Sequence, residues 1–149
     1  MTRTRIKVCG VASAHDAGAA VAAGADAIGV IFAPSPRQVT IEQARAILAD
    51  VPPPVARVGV FVDADPAFVA AAVARVGLTA VQFHGDESPE TCVAAPAPVI
   101  KAFAVGAGAR GPIGAAVGTE FGIDVAEPYR GSVAALLLDT YDSQSSGGT

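Results

Sequence analysis

Charge, sulfur and long apolar runs are all scarce in this chain. Of its 149 residues only 16% are Asp, Glu, Lys or Arg, ten basic against fourteen acidic, for a formal charge of −4. A nucleic-acid partner needs clustered Lys and Arg to meet phosphates, and no such cluster occurs, so that class is excluded. No stretch reaches the roughly eighteen apolar residues of a membrane helix. Arg3 and Arg5 precede an apolar segment, but Cys9-Gly10 and then His15-Asp16 interrupt it before a signal-peptide core forms. A soluble, cytoplasmic protein with no membrane partner is expected. The two cysteines, Cys9 and Cys92, form no CxxC pair and no Cys/His ligand cluster, so reduced thiols and no metal site are expected.

What the chain has is apolar mass and glycine, 52% hydrophobic residues and 16 Gly. That is enough to bury one core, and a single domain over 1–149 is expected. Short runs rich in Val, Ile and Phe, at about 5–9, 26–32, 57–62, 79–84, 98–104 and 134–139, read as strands. Ala-rich stretches of helical period lie between them at about 14–23, 40–50, 66–76, 88–94 and, weakly, 113–121. Strands apolar on both faces and separated by helices belong to a parallel sheet covered by helices. Periodicity leaves two architectures open, a doubly wound sheet and a (β/α)8 barrel.

Local punctuation supports the helices. Thr40 caps a helix opening Ile41-Glu42-Gln43, with Gln43 completing a capping box. Asp65-Pro66 and Ser88-Pro89 each place a side-chain acceptor before a proline at the first helical position. Gly24 and Gly77 fall just after helical stretches, where a left-handed residue is commonly needed. After the sixth strand the chain passes through Asp142-Ser143-Gln144 to Thr149 with no further helix. A barrel of this kind takes about 250 residues, so the expectation is either a piece of one, incomplete at the C-terminus, or an open sheet.

In parallel α/β proteins the C-terminal tips of the strands carry the chemistry. Lys7-Val8-Cys9-Gly10 puts a thiol at the first such tip, and Leu136-Leu137-Leu138-Asp139-Thr140-Tyr141 puts a carboxylate at the last. Lys7 and Cys9 lie on the same side of their strand, so Lys7 can favour the Cys9 thiolate. The three leucines offer Asp139 an apolar approach, which favours its protonated form. Each residue taken alone also has a plain structural role. Cys9 is a small buried hydrophobe, Asp139 caps a loop, Arg37 is a surface side chain, and His84 is a hydrogen-bonded histidine at the core edge. Cys92 sits in a helical stretch away from any tip, and Asp63, ending a strand, has no assigned role.

Six strings occur in order and at fitting separations: Lys7-Val8-Cys9-Gly10, Gly24-Ala25-Asp26-Ala27-Ile28-Gly29-Val30-Ile31-Phe32, Ser35-Pro36-Arg37-Gln38-Val39, Val58-Gly59-Val60-Phe61-Val62, Val81-Gln82-Phe83-His84-Gly85-Asp86-Glu87 and Leu137-Leu138-Asp139-Thr140. Together they resemble the phosphoribosylanthranilate isomerase family of tryptophan biosynthesis, over essentially the whole chain. The resemblance implies a (β/α)8 TIM barrel, here truncated to about its first six βα units, with the phosphate-site residues in the absent units. It also implies an Amadori rearrangement of N-(5-phosphoribosyl)anthranilate to 1-(2-carboxyphenylamino)-1-deoxyribulose 5-phosphate. That chemistry uses no metal or redox cofactor, and the expected partner is the small-molecule substrate. In this resemblance Asp139 is the general acid that opens the furanose ring and Cys9 the general base at C2. Arg37 binds the anthranilate carboxylate, for which a planar bidentate donor suits. Lys7 and His84 complete the expected substrate-binding set. Two alternatives stand beside it: an isomerase of another sugar phosphate, and a non-catalytic barrel fragment. The fragment would self-associate through unpaired sheet edges and have little activity alone.

Overall fold

The computed structural model describes residues 3–105 and 126–140; the weak helical expectation at 113–121 lies outside them. The chain alternates β1 (Lys7–Cys9), α1 (Ala14–Ala22), β2 (Ala27–Ile31), α2 (Ile41–Ile47), β3 (Ala56–Phe61), α3 (Pro66–Val76), β4 (Ala80–Phe83), α4 (Pro89–Val93), β5 (Val99–Val105), a 3-10 turn (Glu127–Tyr129) and β6 (Ala135–Thr140). The expected caps form. Thr40 Oγ1 accepts from Gln43 N at 3.2 Å while Gln43 Oε1 accepts from Thr40 N at 2.8 Å. Asp65 accepts from Ala67 N and Ser88 from Thr91 N. Gly77 ends α3 in the left-handed region at φ 73°, a conformation that costs a residue with a Cβ.

All six strands are parallel, in the order β1-β2-β3-β4-β5-β6. A doubly wound sheet reverses its order at a switch point. None occurs here, so the described sheet is the six-stranded wall of a (β/α) barrel.

Register sorts the side chains, because lateral partners in a parallel pair share a face. Ile28, Val30, Phe61, Val81, Phe83, Val99 and Phe103 point to the helix side. There they form one core with Ala17, Ala44, Ile47, Val69, Ala72 and Cys92. Phe61 stacks on Phe32 with ring centres 5.0 Å apart, and Phe103 meets the edge of Tyr129 at 5.3 Å. The opposite, inner face carries Lys7 and Cys9 from β1, level with Ala27 and Gly29 of β2. Further round it come Gln82 of β4, level with Ile100, and Asp139 of β6, level with Ala104.

One expectation is corrected at β6. It is not buried on both faces, because Leu136 and Leu138 are 47% and 55% exposed on the outer side. No described element covers those two side chains. At the other edge β1 is held by Asp26, which accepts from Ile6 N at 2.9 Å and pairs with the Arg3 guanidinium. That backbone bond, and then Arg3, lower the Asp26 pKa from its ordinary value.

Tyr129 offers a test of core burial. Its side chain is 1% exposed, and burial, followed by the nearby Cys92 and Glu87, pushes its pKa from 10.0 up to about 12. Below pH 10 the phenol is neutral in both folded and unfolded chains, and its contribution is complete. Between 10 and about 12 the unfolded chain loses its proton first, so stability falls as pH rises. An ultraviolet titration of the Tyr141→Phe variant is expected to show the remaining tyrosine ionising well above the ordinary range. A midpoint near the ordinary value would contradict the buried placement.

Candidate active site

Cys9 is the last residue of β1, and the chain turns sharply beyond it. Gly10 takes φ 77°, and the Gly10 and Val11 amides both donate to Gly29 O, at 2.9 and 3.0 Å. Gly29 leaves the space that the β1 side chains occupy. A Cβ there would lie 3.0 Å from Cys9 Sγ and 3.4 Å from Lys7 Cε. Cys9 is exposed, so the buried-hydrophobe role is corrected; what faces its sulfur is the open inner side of the sheet. Arg37 comes from the loop after β2, whose turn is held by Arg37 N donating to Ser35 Oγ at 2.9 Å. Its guanidinium lies over Gly10, where a Cβ would meet Nη1 at 2.7 Å and Cζ at 2.8 Å. Lys7, Cys9 and Arg37 thus gather at one end of the sheet.

Asp139 stands on β6, at the other edge of the described sheet, and its partner is His84. The His84 Nε2 lies 3.2 Å from Asp139 Oδ2, both side chains being partly shielded. His84 Nδ1 in turn lies 3.0 Å from Gln82 Nε2, and Gln82 is 2% exposed. The expected apolar approach to Asp139 from three leucines is reduced to one. Only Leu137 shares its face, because Leu136 and Leu138 point outward. Among the described residues no three His, Cys, Asp or Glu side chains converge as a metal site would need.

The loops that present His84 are tied together by a carboxylate that the strand pattern did not single out. Glu87, 7% exposed, accepts from Asp63 N at 2.9 Å through one oxygen and from Gly85 N at 3.0 Å through the other. Lys101 Nζ, fully buried on the helix side of β5, reaches Glu87 Oε2 at 3.1 Å and Gly85 O at 2.6 Å. Tyr129 donates to Glu87 O at 2.9 Å. Asp63 also gains a role, since it sits at φ 45° and its Oδ1 accepts from Asp86 N at 2.7 Å. Gly85 has no room for a Cβ, which would fall 2.5 Å from Asp63 Oδ1. The available signal was a lysine, Lys101, in the middle of an otherwise apolar strand run, since a buried ammonium needs a buried partner. Cys92 lies in α4, in the helical stretch expected for it; it is buried there, and burial raises its pKa.

The model of the family described as N-(5'phosphoribosyl)anthranilate (PRA) isomerase matches residues 6–117. A curated relative from Desulforudis audaxviator, named N-(5'-phosphoribosyl)anthranilate isomerase, is 46% identical over 146 residues. The match takes in 98% of this chain and 66% of the relative. The solved phosphoribosyl anthranilate isomerase of Thermotoga maritima superposes with a TM-score of 0.77 at 34% identity, over 99% of this chain and 66% of its own. A second solved isomerase, in complex with reduced 1-(o-carboxyphenylamino)-1-deoxyribulose 5-phosphate, gives 0.74 at 36% identity, over 94% and 66%. This chain therefore spans slightly less than two thirds of the length of each.

Removing one member of a buried ion pair leaves the other charge uncompensated, at a cost of about 3–5 kcal/mol. Lys101→Met is expected to lower the urea midpoint accordingly, and adding Glu87→Gln to recover part of the loss. Equal stability of Lys101→Met and the parent in urea melts would contradict the pairing.

Proposed function

This chain belongs to the N-(5'-phosphoribosyl)anthranilate isomerase family, and we propose that it carries the acid and base groups for an Amadori rearrangement of phosphoribosylanthranilate. The observation that supports this most directly is the setting of Cys9. Its thiol is exposed at a strand tip, on the same face as Lys7, and the Arg37 guanidinium lies over the next residue, Gly10. A thiol at this position is within reach of a substrate lying over the inner face, and the thiolate is the form that acts as a base.

In this proposal Asp139 gives its proton to the furanose ring oxygen. The C1–O bond breaks as the anilino nitrogen lone pair forms the protonated Schiff base. Cys9 takes the proton from C2, and the electron pair of that C–H bond moves through C2–C1 onto nitrogen, giving an enolamine. Tautomerisation returns a proton to C1 and leaves a ketone at C2. Atoms and electrons balance without an external reactant. Arg37 meets the anthranilate carboxylate through two parallel donors, a group also present in the carboxyphenylamino compound held by the solved relative. His84 contacts the sugar side through its place next to Asp139, and Lys7 supplies charge beside Cys9. The setting is the cytoplasm, where both thiols stay reduced.

Turnover of freshly generated phosphoribosylanthranilate, followed by its fluorescence, tests this. The assay uses the 149-residue chain alone and the same chain with an added polypeptide covering the remaining third of its relatives. Cys9→Ala and Asp139→Asn are each expected to lower kcat by about a hundredfold or more. Arg37→Lys is expected mainly to raise KM, by about tenfold. Absence of turnover from both samples, despite a folded complex, would shift the assignment to another sugar phosphate.

A second reading concerns association. Leu136 and Leu138 on β6, Val8 on β1 and Ile6 just before it are exposed apolar side chains at the two edges of the described sheet, with exposures between 37% and 55%. Unpaired apolar edges recruit other strands. Sedimentation is expected to show concentration-dependent self-association that Leu136→Lys with Leu138→Lys abolishes; a strictly monomeric parent would refute it.

A further inference from the structure

The amide of Gln82 presents an anomaly. This side chain lies at the centre of the inner face, 2% exposed, yet among the described residues its Oε1 has no hydrogen-bond partner. Leaving a buried acceptor unpaired costs about 1–3 kcal/mol. Turning the amide over would give that oxygen a donor only if His84 Nδ1 carried a proton. Instead the amino group faces Nδ1 at 3.0 Å. An amide N–H is satisfied by a lone pair opposite it, the arrangement in which Nδ1 is bare and the ring proton sits on Nε2, 3.2 Å from Asp139 Oδ2.

We infer that Gln82 is a positioning residue whose amide donor keeps His84 a neutral, Nε2–H donor to Asp139, and so prevents an imidazolium–carboxylate pair from forming between them. The inference rests on the proposed role of Asp139 as proton donor. A fully charged partner would hold Asp139 ionised and withdraw the proton it must deliver. A neutral Nε2–H orients the carboxyl through Oδ2 without adding a positive charge beside it. Among the described residues, other ionisable groups lie on the inner face and in the adjoining loops. On the inner face they are Lys7 and Cys9 of β1, while β2, β3 and β5 present only Gly, Ala, Val and Ile there. Asp63, Asp86 and Glu87 lie in the adjoining loops and bond to backbone amides or Lys101.

The chain has two histidines, and the other, His15, is exposed on α1, which makes nitrogen-15 imidazole spectra a clean test. In the full chain at neutral pH, two-bond proton–nitrogen correlations are expected to show His84 with a bare Nδ1 and a protonated Nε2. Gln82→Glu, of the same shape, places an acceptor opposite Nδ1 and is expected to show both nitrogens protonated. It is also expected to lower kcat by roughly tenfold with little change in KM. Gln82→Met removes the donor and is expected to raise the doubly protonated fraction relative to the parent at the same pH. A parent spectrum with both nitrogens protonated, or with the proton on Nδ1, overturns the inference, as does an unchanged His84 spectrum in both variants. The spectra decide the role of Gln82 whether or not the chain turns over. Turnover retained in Asp139→Asn, with the expected spectra in the parent, would fault the assignment of Asp139 alone.

Discussion

The buried carboxylate of Glu87 is the constraint on which the rim of this sheet depends. A single anion satisfies the amides of Asp63 and Gly85 and neutralises Lys101. It thereby joins the ends of β3 and β4 to the middle of β5. Such an arrangement is expensive to bury and is sustained when the charges are paired and further hydrogen-bonded. Here the carboxylate oxygens accept three bonds, and the ammonium also bonds the Gly85 carbonyl. Gly85, the residue after His84, is therefore held at both its N–H and its C=O. The imidazole, one residue earlier, inherits that fixed direction across the inner face toward Asp139. Without the anchor on the helix side, the contact on the open side would rest on side-chain torsions alone.

The two faces of the sheet thus do different work. The helix side carries aromatic and branched side chains in a continuous core, with Phe61 in contact with Phe32, Phe68 and Phe83. The inner side is built from small residues and a few polar ones, and its glycine at position 29 is what lets a thiol and a lysine stand side by side. The family resemblance and the strand-tip argument meet here. Both direct attention to the last inward residue of each strand, which is Cys9 in β1 and Asp139 near the end of β6.

Much of this was legible in the sequence because its signals are local. Strand runs, capping boxes at Thr40 and Gln43, proline after Asp65 and Ser88, and glycine at 77 act within one turn of the chain. The structure places each where the pattern put it. What could not be read were contacts between distant segments. Nothing within the string Val81 to Glu87 says that Glu87 turns to the helix side while His84 faces Asp139, fifty-five positions on. The exposure of Leu136 and Leu138 was hidden for a related reason, since an apolar strand reads the same whether or not a neighbour covers it. Lys101 was the one visible irregularity, and its meaning lay in a partner from another loop.

The unbroken order of the strands has a consequence for how the chain acquires its shape. Each βα unit meets chiefly the unit before it and the unit after it, so contacts form at short sequence separation and little loop entropy is spent before they are rewarded. Growth of the sheet resembles the lengthening of a one-dimensional array, in which each added unit gains an interface term from its neighbour. The Glu87 anchor spans three successive strands and so couples units that would otherwise add one at a time. It turns the middle of the array into the segment whose loss would cut the whole into two short halves.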